Sequence, residues 1–346
     1  MTEESTLVER LESIDFARIV FPRGRKVNAE VFEVEAQKLE EGDYLECPSI
    51  FLTFGYNEEG VLNQVFISQG KSGGDENAHA QSLGILTSIG LQHGVPPQAF
   101  IRTLGGIKAS VRPYEGEGKR IVHTSIEDLM ARRLTEYVRG RNEPLSLHEL
   151  RDTDYVRPAL SAPDHGNSEW KKLRFGDNRS PLYVHFDENE EGLLIGTFLE
   201  RGKSGGDESA HAESLGKLIS LSLQYGLHPF RVVRSLTGMI SPSTIIADGH
   251  IYQSIEDAVG RSIFDWYGHR GVDLKKSYQR VMNGEEDPTS SLNAPSLPNF
   301  DLEDIGGGNG HIRPCPYCQS TDYNLMPISA KCGIYSCCNK SYGACD

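Results

Sequence analysis

Apolar and polar residues alternate in two doubled blocks along the chain. SIFLTFGY (49–56) and VLNQVFISQ (61–69) flank Asn57-Glu58-Glu59-Gly60, and PLYVHFDE (181–188) and LLIGTFLER (193–201) flank Asn189-Glu190-Glu191-Gly192. Period two, with β-branched and aromatic residues around a Gly-ended turn, predicts a β-hairpin in each block. The pattern then changes to a helical one. Ala78, Leu83, Leu86 and Ile89 recur on one face, as do Ala210, Leu215, Leu218 and Leu221. These helices are expected to stop near His93-Gly94 and Tyr225-Gly226. Pro-led segments, PPQAFIRTLGG and HPFRVVRSLTG, predict a second, shorter helix. Ser125-Ile126-Glu127-Asp128 and Ser254-Ile255-Glu256-Asp257 each open a third, with Ser as N-cap and Asp at the third helical position.

Each unit therefore reads as hairpin, Gly turn, helix, helix, loop, helix. The units span 28–140 and 165–270, with Pro158 and Pro163 in the connector. Between strand and helix lies a phrase that is almost the same twice. GKSGGDENAHAQSLG starts at Gly70 and GKSGGDESAHAESLG at Gly202, an offset of 202 − 70 = 132, and they differ only at Asn77/Ser209 and Gln81/Glu213. A duplicated α+β module, its copies packed as a pseudo-twofold pair as in a homodimer, is the expected architecture. Residues 271–313, containing EEDPTSSLNAPSLPNF and GGGNG, read as a flexible linker, and 314–346 as a cysteine-rich tail.

A length of 346 residues fits two or three domains. The net charge of −14 argues against a general nucleic-acid or membrane-surface binder. No run approaches eighteen apolar residues, and the acidic opening MTEESTLVERLESIDF has no signal-peptide core, so a cytoplasmic protein without a membrane span is expected.

Chemistry concentrates in two places. A strand, then G-K-S-G-G-D, then a helix can turn backbone N–H groups inward beneath a helix start, an arrangement suited to phosphate. The candidate ligand residues are Gly70, Lys71, Ser72, Gly73, Gly74, Asp75 and His79, with Gly202, Lys203, Ser204, Gly205, Gly206, Asp207 and His211. The spacing is not that of a Walker A loop. A plain β-to-α turn with Asp75 or Asp207 capping the helix is the other reading. Asp75/His79 and Asp207/His211 stand at i, i+4 and share a helix face, where Asp caps and His hydrogen-bonds nearby, or the pair moves a proton or holds a metal. No complete catalytic constellation is visible.

Six of the seven cysteines follow residue 314. Cys315-Pro-Tyr-Cys318 is one knuckle of a zinc-ribbon-like module, and its partners come from Cys332, Cys337, Cys338 and Cys345, with Cys332 and Cys337 or Cys338 first. Structural zinc is the expected cofactor. Two thiols are left over, so Cys338 and Cys345 are candidates for thiol–disulfide exchange.

GKSGGDESAHAESLGKLISLSLQYGLHP, the strand VFISQGKSGG before its twin, and CPYC…KC…CC…SYGAC resemble the TSCPD domain and cysteine ribbon of the C-terminal region of adenosylcobalamin-dependent (class II) ribonucleotide reductases. The name motif has its counterparts in Thr124–Asp128 and Gln253–Asp257, where Ile-Glu replaces Cys-Pro. The family's cysteine is absent where Asp75 and Asp207 stand. The reductase's catalytic barrel and a cobalamin-binding segment have no counterpart here. The resemblance implies an accessory protein of ribonucleotide reduction that binds a nucleotide, a reductase catalytic subunit, or both. The alternatives are a redox tail passing electrons to a separate catalytic chain and a zinc-ribbon nucleic-acid binder.

Overall fold

A computed structural model describes residues 6–22, 28–40, 43–116, 121–140, 160, 168–175, 180–247 and 250–282, together with the backbone of three tail strands. The chain divides into two units, Met1–Gly284 and Glu285–Asp346.

The first unit holds both repeats. Repeat one contains β1 (Asn28–Glu40), β2 (Asp43–Tyr56), β3 (Leu62–Gln69), α2 (Asp75–Gln92), α3 (Pro97–Leu104), β4 (Val111–Glu115), β5 (Ile121–Val122) and α4 (Ile126–Gly140), preceded by a short helix α1 (Leu7–Glu12). Repeat two follows as β6 (Ser168–Phe175), β7 (Leu182–Glu188), β8 (Leu194–Glu200), α5 (Asp207–Gln224), α6 (Pro229–Leu236), β9 (Ile245–Ala247), β10 (His250–Tyr252) and α7 (Ile255–His269), then α8 (Leu274–Val281). Both sheets are five-stranded and antiparallel, ordered β3-β2-β1-β4-β5 and β8-β7-β6-β9-β10. The hairpin registers agree across the copies: Phe51 pairs with Ser68 and Gly55 with Gln64, as Tyr183 pairs with Glu200 and Asp187 with Gly196. An offset of 132 thus maps one hairpin onto the other in space as well as in sequence.

Both expected hairpins and all six expected helices are present. The loop expected before each third helix instead supplies the last two strands of its sheet, and β1 and β6 join those strands to the hairpin. Helix α8 falls inside the segment expected to be a linker; its Leu274 and Tyr278, at i and i+4, are buried.

The phrase's last glycine explains how helix meets sheet. β3 and β8 are edge strands, whose free N–H and C=O groups need partners. Helices α2 and α5 supply them. Ser88 Oγ accepts from Val65 N at 2.8 Å and lies 3.0 Å from Val65 O, and Ser220 Oγ does the same with Thr197 at 2.9 and 3.0 Å. One turn earlier, Gly84 and Gly216 let the helix backbone approach the strand. A Cβ on Gly84 would stand 2.9 Å from Val65 O and 3.2 Å from Ile67 N.

The segment after α1 covers the C-terminal ends of both long helices. Val20 N and Phe21 N donate to Gln92 O, and Ala17 N donates to Gly226 O. These carbonyls would otherwise lack partners at a helix end. In the second unit, β11 (Leu325–Ser329), β12 (Cys332–Tyr335) and β13 (Lys340–Gly343) form an antiparallel meander. Cys332 opens β12, whereas Cys315, Cys318, Cys337, Cys338 and Cys345 lie outside the described residues. Among the described residues no helix is long and apolar enough to cross a membrane.

Candidate functional site: the duplicated turn and the repeat interface

Two glycines make each turn possible. Gly70 and Gly73 have φ of 67° and 78°, and Gly202 and Gly205 have 67° and 80°, values that side chains with a Cβ disfavour. The amide of Gly74 donates to Lys71 O, and that of Gly206 to Lys203 O, which closes the turn. Gly74 and Gly206 are the N-caps, and neither helix has a side-chain cap bond. Asp75 and Asp207 are the first helical residues, so the capping role expected of them is not the one they fill.

Each aspartate instead reaches into the other repeat. Asp207 Oδ1 accepts from Ser110 N and Val111 N, both at 2.8 Å, with Lys38 Nζ 3.9 Å from its second oxygen. Asp75 accepts from Ser243 Oγ at 2.6 Å and Ser243 N at 3.3 Å. Ser243 is the 132-offset equivalent of Val111. The two carboxylates therefore clamp the same loop reciprocally, as a pseudo-twofold axis requires.

The histidines meet on that axis. The His79 and His211 rings stack with centroids 4.2 Å apart and an interplanar angle of 16°. Each faces the glutamate of its own repeat's SIED motif: His79 Nε2 is 2.9 Å from Glu127 Oε1, and His211 Nε2 is 2.8 Å from Glu256 Oε1. Both glutamates are fully buried. Burial disfavours charge on His79, but the Glu127 carboxylate, with Glu256 and Asp207 behind it, outweighs burial and raises its pKa. His211 is lowered by burial and by the charge on His79, against the pull of Glu256. Burial would raise the glutamates, but their histidines hold Glu127 below the ordinary range and Glu256 at about 2. Like charge between the stacked rings thus opposes protonating both.

The remaining motif residues build the support. Ser125 and Ser254 accept from the N–H of Asp128 and Asp257. Asp128 in turn accepts from Thr124 N and Gly106 N and pairs with Arg132, while Asp257 accepts from Gln253 N and Gly238 N and pairs with Arg261. Ser214 Oγ lies 3.3 Å from His79 Nε2. Glu127 approaches that same nitrogen, so imidazole cannot relay a proton from one to the other as a serine-type triad does.

With Asp and His engaged between the repeats, the polar turn residues left facing solvent are Lys71, Ser72, Lys203 and Ser204. The second turn opens onto a groove of about 1030 Å³. It is lined by Gly202 and Ser204 of the turn, by Tyr183, Phe198 and Lys217, and by Arg102 from α3 of the other repeat. Glu127, Glu256, Ser243 and the groove residues other than Gly202 and Ser204 were not among the candidates read from sequence. The recurrence of SIED in both repeats was the one signal that marked the glutamates.

The family model for the TSCPD domain matches residues 23–138 and again 156–266. No curated protein and no solved structure matches the chain.

Proposed function

The chain belongs to the TSCPD domain family, with the domain present twice, and from that premise we propose that it is an accessory protein of ribonucleotide reduction without independent turnover. It binds a phosphate-bearing nucleotide at its glycine turns and docks on a separate reductase catalytic subunit. The carrying observation is the division of labour within the repeated phrase. Asp and His are consumed by the repeat interface, whereas Lys-Ser-Gly remains exposed at the start of an 18-residue helix, with a groove beside the second copy. The tail thiols Cys315, Cys318, Cys332, Cys337 and Cys338 suit zinc by donor chemistry, and zinc would supply the folding energy of a module with little core.

Affinity capture with the tagged full chain, from the cells that make it, tests the reading. Recovery of a reductase catalytic chain, enhanced by added nucleotide, is expected. No reductase with or without nucleotide, together with no nucleotide binding by the purified chain, would contradict it.

A further inference from the structure

The two turns carry the same phrase but do not share the same surroundings. Three of the pairs common to both copies serve the fold: Asp75/Asp207 and His79/His211 join the repeats, and Gly84/Gly216 admit the helix to the strand edge. The only two differences in the phrase, Asn77/Ser209 and Gln81/Glu213, fall where the second copy lines its groove. That divergence extends beyond the phrase. Five of the six charged residues that line the second copy's groove, Asp187, Glu200, Arg201, Glu213 and Lys217, have uncharged equivalents in the first copy, Gly55, Ser68, Gln69, Gln81 and Ile85; the sixth, Arg102, corresponds to Arg234. Identical hairpin registers make Asp187/Gly55 and Glu200/Ser68 true equivalents, and the repeated phrase at the same offset aligns the others.

We infer that ligand binding is confined to the second copy, where the groove takes one nucleoside phosphate per chain; this rests on the nucleotide reading above. Phe198 is half exposed and lines the groove, as does Tyr183. It precedes Gly202 by four residues, roughly 13 Å along an extended chain. A nucleoside diphosphate bridges that span, base on the aromatic side chains and phosphate against Gly202, Ser204 and Ser209, which also line the groove. Free phosphate or a nucleoside fills only one end. Carboxylates at Asp187 and Glu200 suit the donors of ribose and of an exocyclic amine. Lys217, held by Glu213 at 2.6 Å, brings a cation to the groove where the first copy has Ile85.

Calorimetric titration of the full chain with the four ribonucleoside diphosphates, with inorganic phosphate and with adenosine tests this. One equivalent of diphosphate is expected, bound more tightly than either half-ligand. Phe198→Ala and Lys217→Ile each weaken binding roughly tenfold, with unchanged thermal melts. Phe66→Ala, the same change in the first copy, leaves affinity as it was. Two equivalents per chain, or equal losses from Phe66→Ala and Phe198→Ala, would overturn the confinement to one copy and leave the nucleotide reading standing. Binding of phosphate alone as tightly as the diphosphate would overturn base binding by the aromatic side chains. No heat with any probe would overturn both readings.

Discussion

Adding one methyl group at Gly84 should destabilise the protein, although the same change elsewhere in a helix does the reverse. Alanine lowers the conformational cost of a helical glycine position by about 1 kcal/mol. At Gly84 the new Cβ would sit 2.9 Å from Val65 O and 3.2 Å from Ile67 N, both backbone atoms of β3 that cannot rotate away. Helix α2 must lift by several tenths of an ångström. Overpacking of this kind costs about 1–3 kcal/mol. The shift also lengthens the Ser88 bonds to Val65 N and O, now 2.8 and 3.0 Å, each contributing about 1 kcal/mol. The net expectation is a loss of about 1–3 kcal/mol. At Gly268, near the end of α7, an added Cβ would meet nothing within 4 Å, so Gly268→Ala should gain up to about 1 kcal/mol. Urea unfolding of both variants beside the parent gives the two signs. A Gly84→Ala protein as stable as Gly268→Ala would refute the close approach of helix to strand edge.

Asp207→Ala removes the acceptor of two backbone N–H groups; because its side chain is 38% exposed, water replaces part of the loss, and about 1–2 kcal/mol of unfolding free energy should go. Asp207→Asn keeps an acceptor oxygen and should recover most of it in the same urea assay. Stability should fall as pH drops below 6.5, because burial lowers His93 to about 4 and His228 to about 3, and burial with the His79 charge lowers His211, so the unfolded chain binds these protons first. His79, raised in the fold, has the opposite sign: its contribution is full below the unfolded value and fades as pH rises through the folded one. Glu256 contributes above its unfolded value of 4.5 and loses that contribution toward about 2. Thermal melts across this range check the balance, and melts that rise steadily on acidification would contradict it. Metal analysis of the purified chain should find about one zinc, lost in Cys315→Ser while the repeats keep their melting temperature.

Local chemistry was readable in advance, and long-range chemistry was not. The hairpins, the three helices of each copy and the Ser N-caps follow from period, glycine and hydroxyl placement within a few residues. β1 carried its signal too, since Phe32, Val34 and Ala36 alternate with Val31, Glu33 and Glu35, but its partners β2 and β4 supply the reason to be a strand. Helix α8 shows only Leu274, Tyr278 and Val281 at helical spacing before a Pro- and Ser-rich stretch. The repeat drew attention to the aspartates and histidines, yet their partners lie far off in sequence. Asp207 meets Ser110 across 97 residues, Asp75 meets Ser243 across 168, and His211 meets Glu256 across 45. A side chain at a helix start looks like a cap when only its neighbours are known. The groove was hidden for a similar reason: its residues come from β7, β8, α5 and the other repeat's α3, and only the assembled hairpin register shows that they face one space.

Hydrogen–deuterium exchange of the full chain, with and without saturating nucleoside diphosphate, addresses the asymmetry of the twin turns most directly. Slowed exchange in peptides covering Gly202–Ser209 and Phe198, with the Gly70–Asn77 peptides unchanged, is the predicted result. Equal protection of both turns would contradict it.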